Sequence, residues 1–153
     1  MKKISLMLIV AAIAITLIAP AVYSHCQIPC GIYDDDARFA AIKENLTTVE
    51  KSMRQINELS RDGSKNVNQL VRWVQTKETH ADAISDIVTA YFLTQKIKLD
   101  KNTSEEATKS YLAKLKYCHE MLHYAMKCKQ TTDLANTAKL KGAMEKFHHV
   151  FHN

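Results

Sequence analysis

Between residues 35 and 152 apolar positions recur every three or four residues with polar ones between them, the pattern of helices that bury one face. Phe39, Ile42, Leu46, Val49, Met53, Ile56 and Leu59 mark a first helix, with Asp35 or Asp36 as its cap. Arg61-Asp62-Gly63 breaks it, and Ser64 or Asn66 caps a long second helix running to about Leu99. Val67, Leu70, Val74, Ala81, Ile84, Ile87, Val88, Tyr91 and Ile97 lie near one side of that helix. Thr103-Ser104-Glu105-Glu106 reads as a capping box opening a third, with Tyr111, Leu112, Leu115, Cys118, Leu122 and Ala125 as its stripe. Thr131-Thr132-Asp133 opens a fourth, which carries Leu134, Leu140, Met144, Phe147 and Phe151. Short breaks between such helices predict antiparallel neighbours, hence an all-α, up-down antiparallel four-helix bundle over residues 35–152.

The first 24 residues follow a different pattern. Lys2 and Lys3 precede an almost unbroken apolar run from Ile4 to Ala21, with Pro20 near its end and Val22 and Ser24 at small-residue cleavage positions. The expectation is a signal peptide that is removed, followed by a single domain over residues 25–153. An uncleaved membrane anchor is the competing reading, since the run approaches spanning length. The export expectation places the protein in a periplasm or outside a cell. Removing the leader takes away two lysines and no acids, so the formal charge falls from +5 to +3. That surplus is too small and too evenly spread for nucleic-acid binding, although it modestly favours the approach of small anions. Three glycines and two prolines in 153 residues leave little turn vocabulary for an all-β fold.

Residues 25–33, HCQIPCGIY, fall outside the helical pattern and crowd donor atoms into an irregular stretch. Four cysteines in an exported chain could form two disulfides. However, Cys118 and Cys128 share one predicted helix and stand about 15 Å apart along it, too far to bridge. They read as core or flank thiols, which leaves Cys26 and Cys30. If cleavage makes His25 the first residue, its α-amine and imidazole offer two nitrogens, the Cys26 amide a third, and the two thiols complete a compact set. Mixed nitrogen and thiolate donors suit nickel or copper better than magnesium or calcium, while tetrahedral zinc is harder to set aside. Pro29 and Gly31 suit a tight loop. The plainer alternative is a flexible N-terminus with an exposed disulfide.

His-Cys-x-x-Pro-Cys-Gly-x-Tyr at a processed N-terminus resembles the nickel superoxide dismutases. All six fixed residues of that hook are present as His25, Cys26, Pro29, Cys30, Gly31 and Tyr33. Residues 72–92, RWVQTKETHADAISDIVTAYF, and 126–133, MKCKQTTD, are more loosely similar to one branch of the family. The resemblance implies one nickel ion per subunit, held in a plane by the His25 amine, the Cys26 amide and the two thiolates. The His25 imidazole joins as an axial ligand in the trivalent state, and superoxide is converted to dioxygen and hydrogen peroxide. It further implies that Tyr33 excludes larger ligands, that Tyr91 is a second aromatic neighbour, and that the subunits form a homohexamer. Some members support the imidazole with an acid from helix one and an arginine from helix two; here Arg72 and Lys77 compete for the basic role. Gln27 departs from the acidic residue common after the first cysteine.

Two other readings come from different classes. His119-Glu120-Met121-Leu122-His123 fits the H-E-x-x-H pattern of zinc peptidases, with both imidazoles on one helix face and a glutamate as base. No third ligand follows at a familiar spacing, which favours a coincidental match on a solvated flank. The other is an exported bundle that binds metal through the hook without turnover. A thiol-disulfide enzyme fits poorly, because the spacing is Cys-x-x-x-Cys and no βαβ pattern accompanies it. His148, His149 and His152 read as polar residues on a fraying helix end or as binders of stray metal, and His80 has no evident partner.

Overall fold

The computed structural model describes residues 34–99 and 104–153, and every regular element among them is helical. Helix α1 spans Asp35–Leu59 and buries Phe39, Ile42, Leu46, Val49 and Met53, the predicted stripe. Its cap is neither Asp35 nor Asp36 but Asp34, whose carboxylate accepts from the Asp36 N–H at 3.0 Å. Asp35 and Asp36 instead occupy the first turn, where their charge complements the helix dipole. A single 3₁₀ turn, Ser60–Asp62, then leads directly into α2 at Gly63. Neither Ser64 nor Asn66 caps that helix: Ser64 bonds Asp62, and Asn66 donates across the turn to the Leu59 carbonyl at 3.2 Å.

Helix α2 runs as an ordinary α-helix over Gly63–Asp86 and continues as a π-helical stretch over Ile87–Lys96. This departs from the uniform helix to Leu99 that periodicity predicts. The wide ladder is visible in the Ile97 N–H donating to the Phe92 carbonyl at 2.8 Å, five residues back. Helix α3, Glu105–Gln130, starts at Ser104, which accepts from Ala107. A reciprocal capping box does not form, since the third helical position holds alanine. Helix α4, Ala135–His152, follows a turn in which Asp133 accepts from the Ala135 N–H.

The helices pack as a ring, α1 on α2, α2 on α3, α3 on α4 and α4 on α1. Antiparallel order follows from where the ends meet. Lys96 reaches Asp35 at one end of α1, and Asn57 donates to the Thr132 carbonyl near the other. An aromatic cluster joins three of the helices: Phe92 stands 4.8 Å from Phe39 and 4.9 Å from Phe147 by ring centroid, and Phe39 stands 5.5 Å from Phe147. Cys118 and Cys128 are free, fully buried thiols, as the helix spacing requires. Burial pushes them up to about 12 and about 11 respectively, so they are neutral packing groups at neutral pH.

Three predicted stripe positions are exposed. Leu112 faces solvent, and Val67 and Val74, with Val71, form an uncovered strip on α2. Farther along that face Glu78 and Asp82 meet Lys129 at the end of α3, so the strip is the part of the α3-facing side that continues past the end of α3. Replacing Phe92, which is completely buried among four other aromatic rings, should destabilise the bundle by about 3–5 kcal/mol in the alanine variant, read by denaturant unfolding.

Candidate metal centre

The donor residues of the hook, His25, Cys26 and Cys30, lie outside the described residues, as do Pro29, Gly31 and Tyr33. The described chain begins one residue later, and it shows the protein surface against which α1 starts. Three consecutive acids there have three different partners. Asp34 caps its own helix. Asp35 turns toward α2, accepting from the Tyr91 hydroxyl at 2.6 Å and pairing with the Lys96 ammonium at 3.0 Å. Asp36 turns toward α4, with His148 Nε2 at 3.4 Å and His152 Nε2 at 3.2 Å.

The π-helical stretch explains how α2 presents both groups to Asp35. Residues five apart on an α-helix are turned about 140° from each other. An i→i+5 ladder stacks them, so Tyr91 and Lys96 face the same way. Tyr91 is 2% exposed, with Arg38 and Lys96 lying 5.7 Å and 5.6 Å from its ring centre. Burial, reinforced by the Asp35 carboxylate, pushes its phenol up to about 12. Burial works against ionised Asp35, but the Tyr91 and Lys96 hydrogen bonds outweigh it and hold that carboxyl below its ordinary value.

An acid from α1 therefore meets a base from α2, Asp35 with Lys96; the His25 imidazole that Arg72 or Lys77 would support lies outside the described residues. Lys77 lies fourteen residues before Tyr91, roughly 20 Å along the helix. It is buried, donating to the Cys128 and Lys129 carbonyls and pairing with Glu78. Arg72 lies farther still, on an open groove with Asn68, Gln75 and His80. His80 does have a partner: its Nδ1 is 2.6 Å from Asn45 Oδ1. Sequence reasoning missed Asp35 and Lys96 because the signal that aligns Lys96 with Tyr91 is the π-helical turn, which a 3.6-residue period conceals.

The H-E-x-x-H residues do not assemble a site. His119 and His123 are exposed, Glu120 faces Lys116 at 3.9 Å, and His123 lies against the Tyr124 ring. Among the described residues, the one trio of His, Cys, Asp or Glu with converging ligand atoms is Asp36, His148 and His152. No helix among them is long and apolar enough to cross a membrane.

Comparison with known proteins adds one finding. The family model for nickel-containing superoxide dismutase matches residues 20–153, a span that includes the whole HCQIPCGIY segment and all four helices. No curated protein and no solved structure matches the chain.

The Tyr91–Asp35 contact predicts opposite effects at the two pH extremes. A raised tyrosine value adds stability that is present below about pH 10, the unfolded value, and is lost as pH rises toward 12. A lowered carboxyl value adds stability present above about pH 4, lost as pH falls through the folded value. Tyr91→Phe should remove an alkaline loss on the order of 1–2 kcal/mol relative to wild type, and weaken the acid-side contribution of Asp35. Denaturant unfolding of both proteins between pH 3 and about 12 reads both effects.

Proposed function

The chain belongs to the nickel-containing superoxide dismutase family, and from that premise we propose how this nickel-dependent enzyme holds its metal. Superoxide is its substrate and nickel its cofactor, one ion per subunit in keeping with the family. The proposed donors are the α-amine of His25 exposed by removal of residues 1–24, the Cys26 amide nitrogen, and the thiolates of Cys26 and Cys30. The His25 imidazole would supply a further nitrogen donor. The observation that carries this reading is HCQIPCGIY itself, whose six fixed residues all lie within the matched span.

The donor set fits the metal. Thiolates and an anionic amide are electron-rich enough to bring trivalent nickel within reach, as neutral oxygen ligands are not. Bound there, nickel supplies one-electron exchange between its divalent and trivalent states, converting two superoxide ions and two protons to dioxygen and hydrogen peroxide. The protein's own residues do the remainder. Pro29 and Gly31 shape the loop that returns Cys30 to Cys26. Tyr33 narrows access, and Tyr91 forms a second aromatic wall at the root of the hook. The Tyr91 phenol is buried, donates to Asp35 and keeps its proton at neutral pH, which suits a wall and an anchor.

Two broader features belong to the same proposal. The leader directs export, to a periplasm or outside a cell. The subunits assemble as a homohexamer, and the uncovered Val67, Val71 and Val74 strip, with residues 57%, 51% and 41% exposed, offers an apolar surface for such assembly.

Intact-mass analysis with metal content on one native preparation tests the centre: a chain starting at His25 and carrying one nickel is expected, and zinc on a chain that retains its leader is the opposing result. A single glycine added ahead of His25 moves the free amine, and should abolish both nickel retention and dismutation while leaving helical content unchanged. Nickel loading should also weaken as pH falls, because an α-amine with an ordinary value of about 7.7–8.0 must lose its proton to bind. Loading indifferent to pH would count against the amine as a ligand.

A further inference from the structure

The Asp36, His148 and His152 cluster is independent of the hook, and its geometry has a chemistry of its own. His148 and His152 stand one turn apart on the last two turns of α4, and Asp36 stands on the first turn of α1. We propose that these three side chains form a second, solvent-open site for a divalent transition ion of the zinc class, clipping the end of α4 to the start of α1.

The spacing suits such an ion. Zinc bound at about 2.0–2.2 Å to nitrogen and oxygen in a tetrahedron sets neighbouring ligand atoms roughly 3.3–3.6 Å apart. Of the two Asp36 contacts, 3.4 Å falls within that range and 3.2 Å just below it, and all three ligand atoms lie within 4.8 Å of one another. Two imidazoles and one carboxylate are borderline donors that suit zinc, nickel or copper, and they disfavour calcium and magnesium, which take oxygen shells. Three protein ligands leave a position for water, and side-chain exposures of 41–65% give water access to it.

The rings are also held in place. His148 packs edge-on against Phe39 at 4.6 Å, and His152 lies 5.4 Å from Phe151, so both imidazoles rest on the aromatic cluster. Holding them there reduces the side-chain entropy that a metal would otherwise have to remove. An open groove of about 460 Å³ adjoins the trio. Its wall carries Lys43 and Lys141, cations that oppose metal entry, but Lys141 faces Glu145 at 3.9 Å, which offsets part of that charge. The competing account of the same geometry is a carboxylate paired with protonated imidazoles and no metal.

The test is calorimetric titration of zinc into the nickel-loaded enzyme, whose hook is already filled, repeated on the Cys26→Ser/Cys30→Ser chain, whose hook lacks thiols. One zinc per chain is expected in both. His148→Ala/His152→Ala should weaken it by at least about tenfold, as loss of even an outer partner of a metal ligand can do. Asp36→Asn, on the other helix, should weaken it as well and stands in if the histidine variant fails to fold. His119→Ala/His123→Ala should leave binding unchanged. Zinc should also shift the Nε2 resonances of His148 and His152 and slow amide exchange in the last turn of α4. No zinc uptake beyond the nickel, or uptake that survives the histidine and Asp36 substitutions, would overturn the proposal and leave a paired carboxylate only.

Discussion

The start of α1 is fixed by one carboxylate, Asp35, which accepts from the Tyr91 hydroxyl and pairs with the Lys96 ammonium. Both donors come from a stretch of α2 whose hydrogen bonds run to the fifth residue back, and only that ladder turns positions 91 and 96 to the same side. The contact matters because of what precedes it in the chain: HCQIPCGIY ends immediately before Asp34. With Asp34 capping α1 and Asp36 facing α4, three successive acids set the helix start along three directions about 100° apart.

These polar contacts set direction more than stability. The Asp35–Lys96 pair has side chains about a quarter exposed, and such pairs contribute at most about 1 kcal/mol. Beneath it, Phe39, Phe92 and Phe147 are buried with centroid separations of 4.8–5.5 Å, where each aromatic contact adds roughly 0.5–1.5 kcal/mol beyond area burial. The aromatic rings therefore hold α1, α2 and α4 together, and the acids decide which way the chain leaves them.

Much of the bundle was legible in the sequence because burial follows the helical period closely in α1 and α4. Phe39 to Met53, and Leu140, Met144 and Phe147, are all buried as their spacing predicts. The pattern misled where a helix outruns its neighbour: Val67 and Val74 keep the stripe although α3 ends before covering them, and periodicity carries no information about a partner's length. It also misled at helix starts. Three adjacent aspartates are interchangeable as caps on paper, and only the packing of Asp35 and Asp36 against α2 and α4 leaves Asp34 for the role. The candidate centre divided in the same way. Its donors are legible as a run of residue types in HCQIPCGIY. Asp35 and Lys96 are separated by sixty-one positions and joined by a π-helical turn, so their pairing carried no signal in the sequence. His148 and His152 looked like polar residues at a fraying end because Asp36, over a hundred positions away, had no reason to be paired with them.

The proton requirement of the reaction adds a constraint that the bundle alone does not meet. Forming hydrogen peroxide consumes protons, and the buried Tyr91 phenol already has its proton engaged. Its proton is engaged by Asp35, and its value of about 12 keeps it bound at neutral pH. Asp35 is held in its ionised form by Tyr91 and Lys96, so it carries no proton to give. Tyr91 and Asp35 are thus held in complementary states, the phenol protonated and the carboxyl ionised, as a structural anchor requires. The anchoring of the start of α1 therefore rests on contacts from α2 and α4, and these contacts are already fully engaged with its acids.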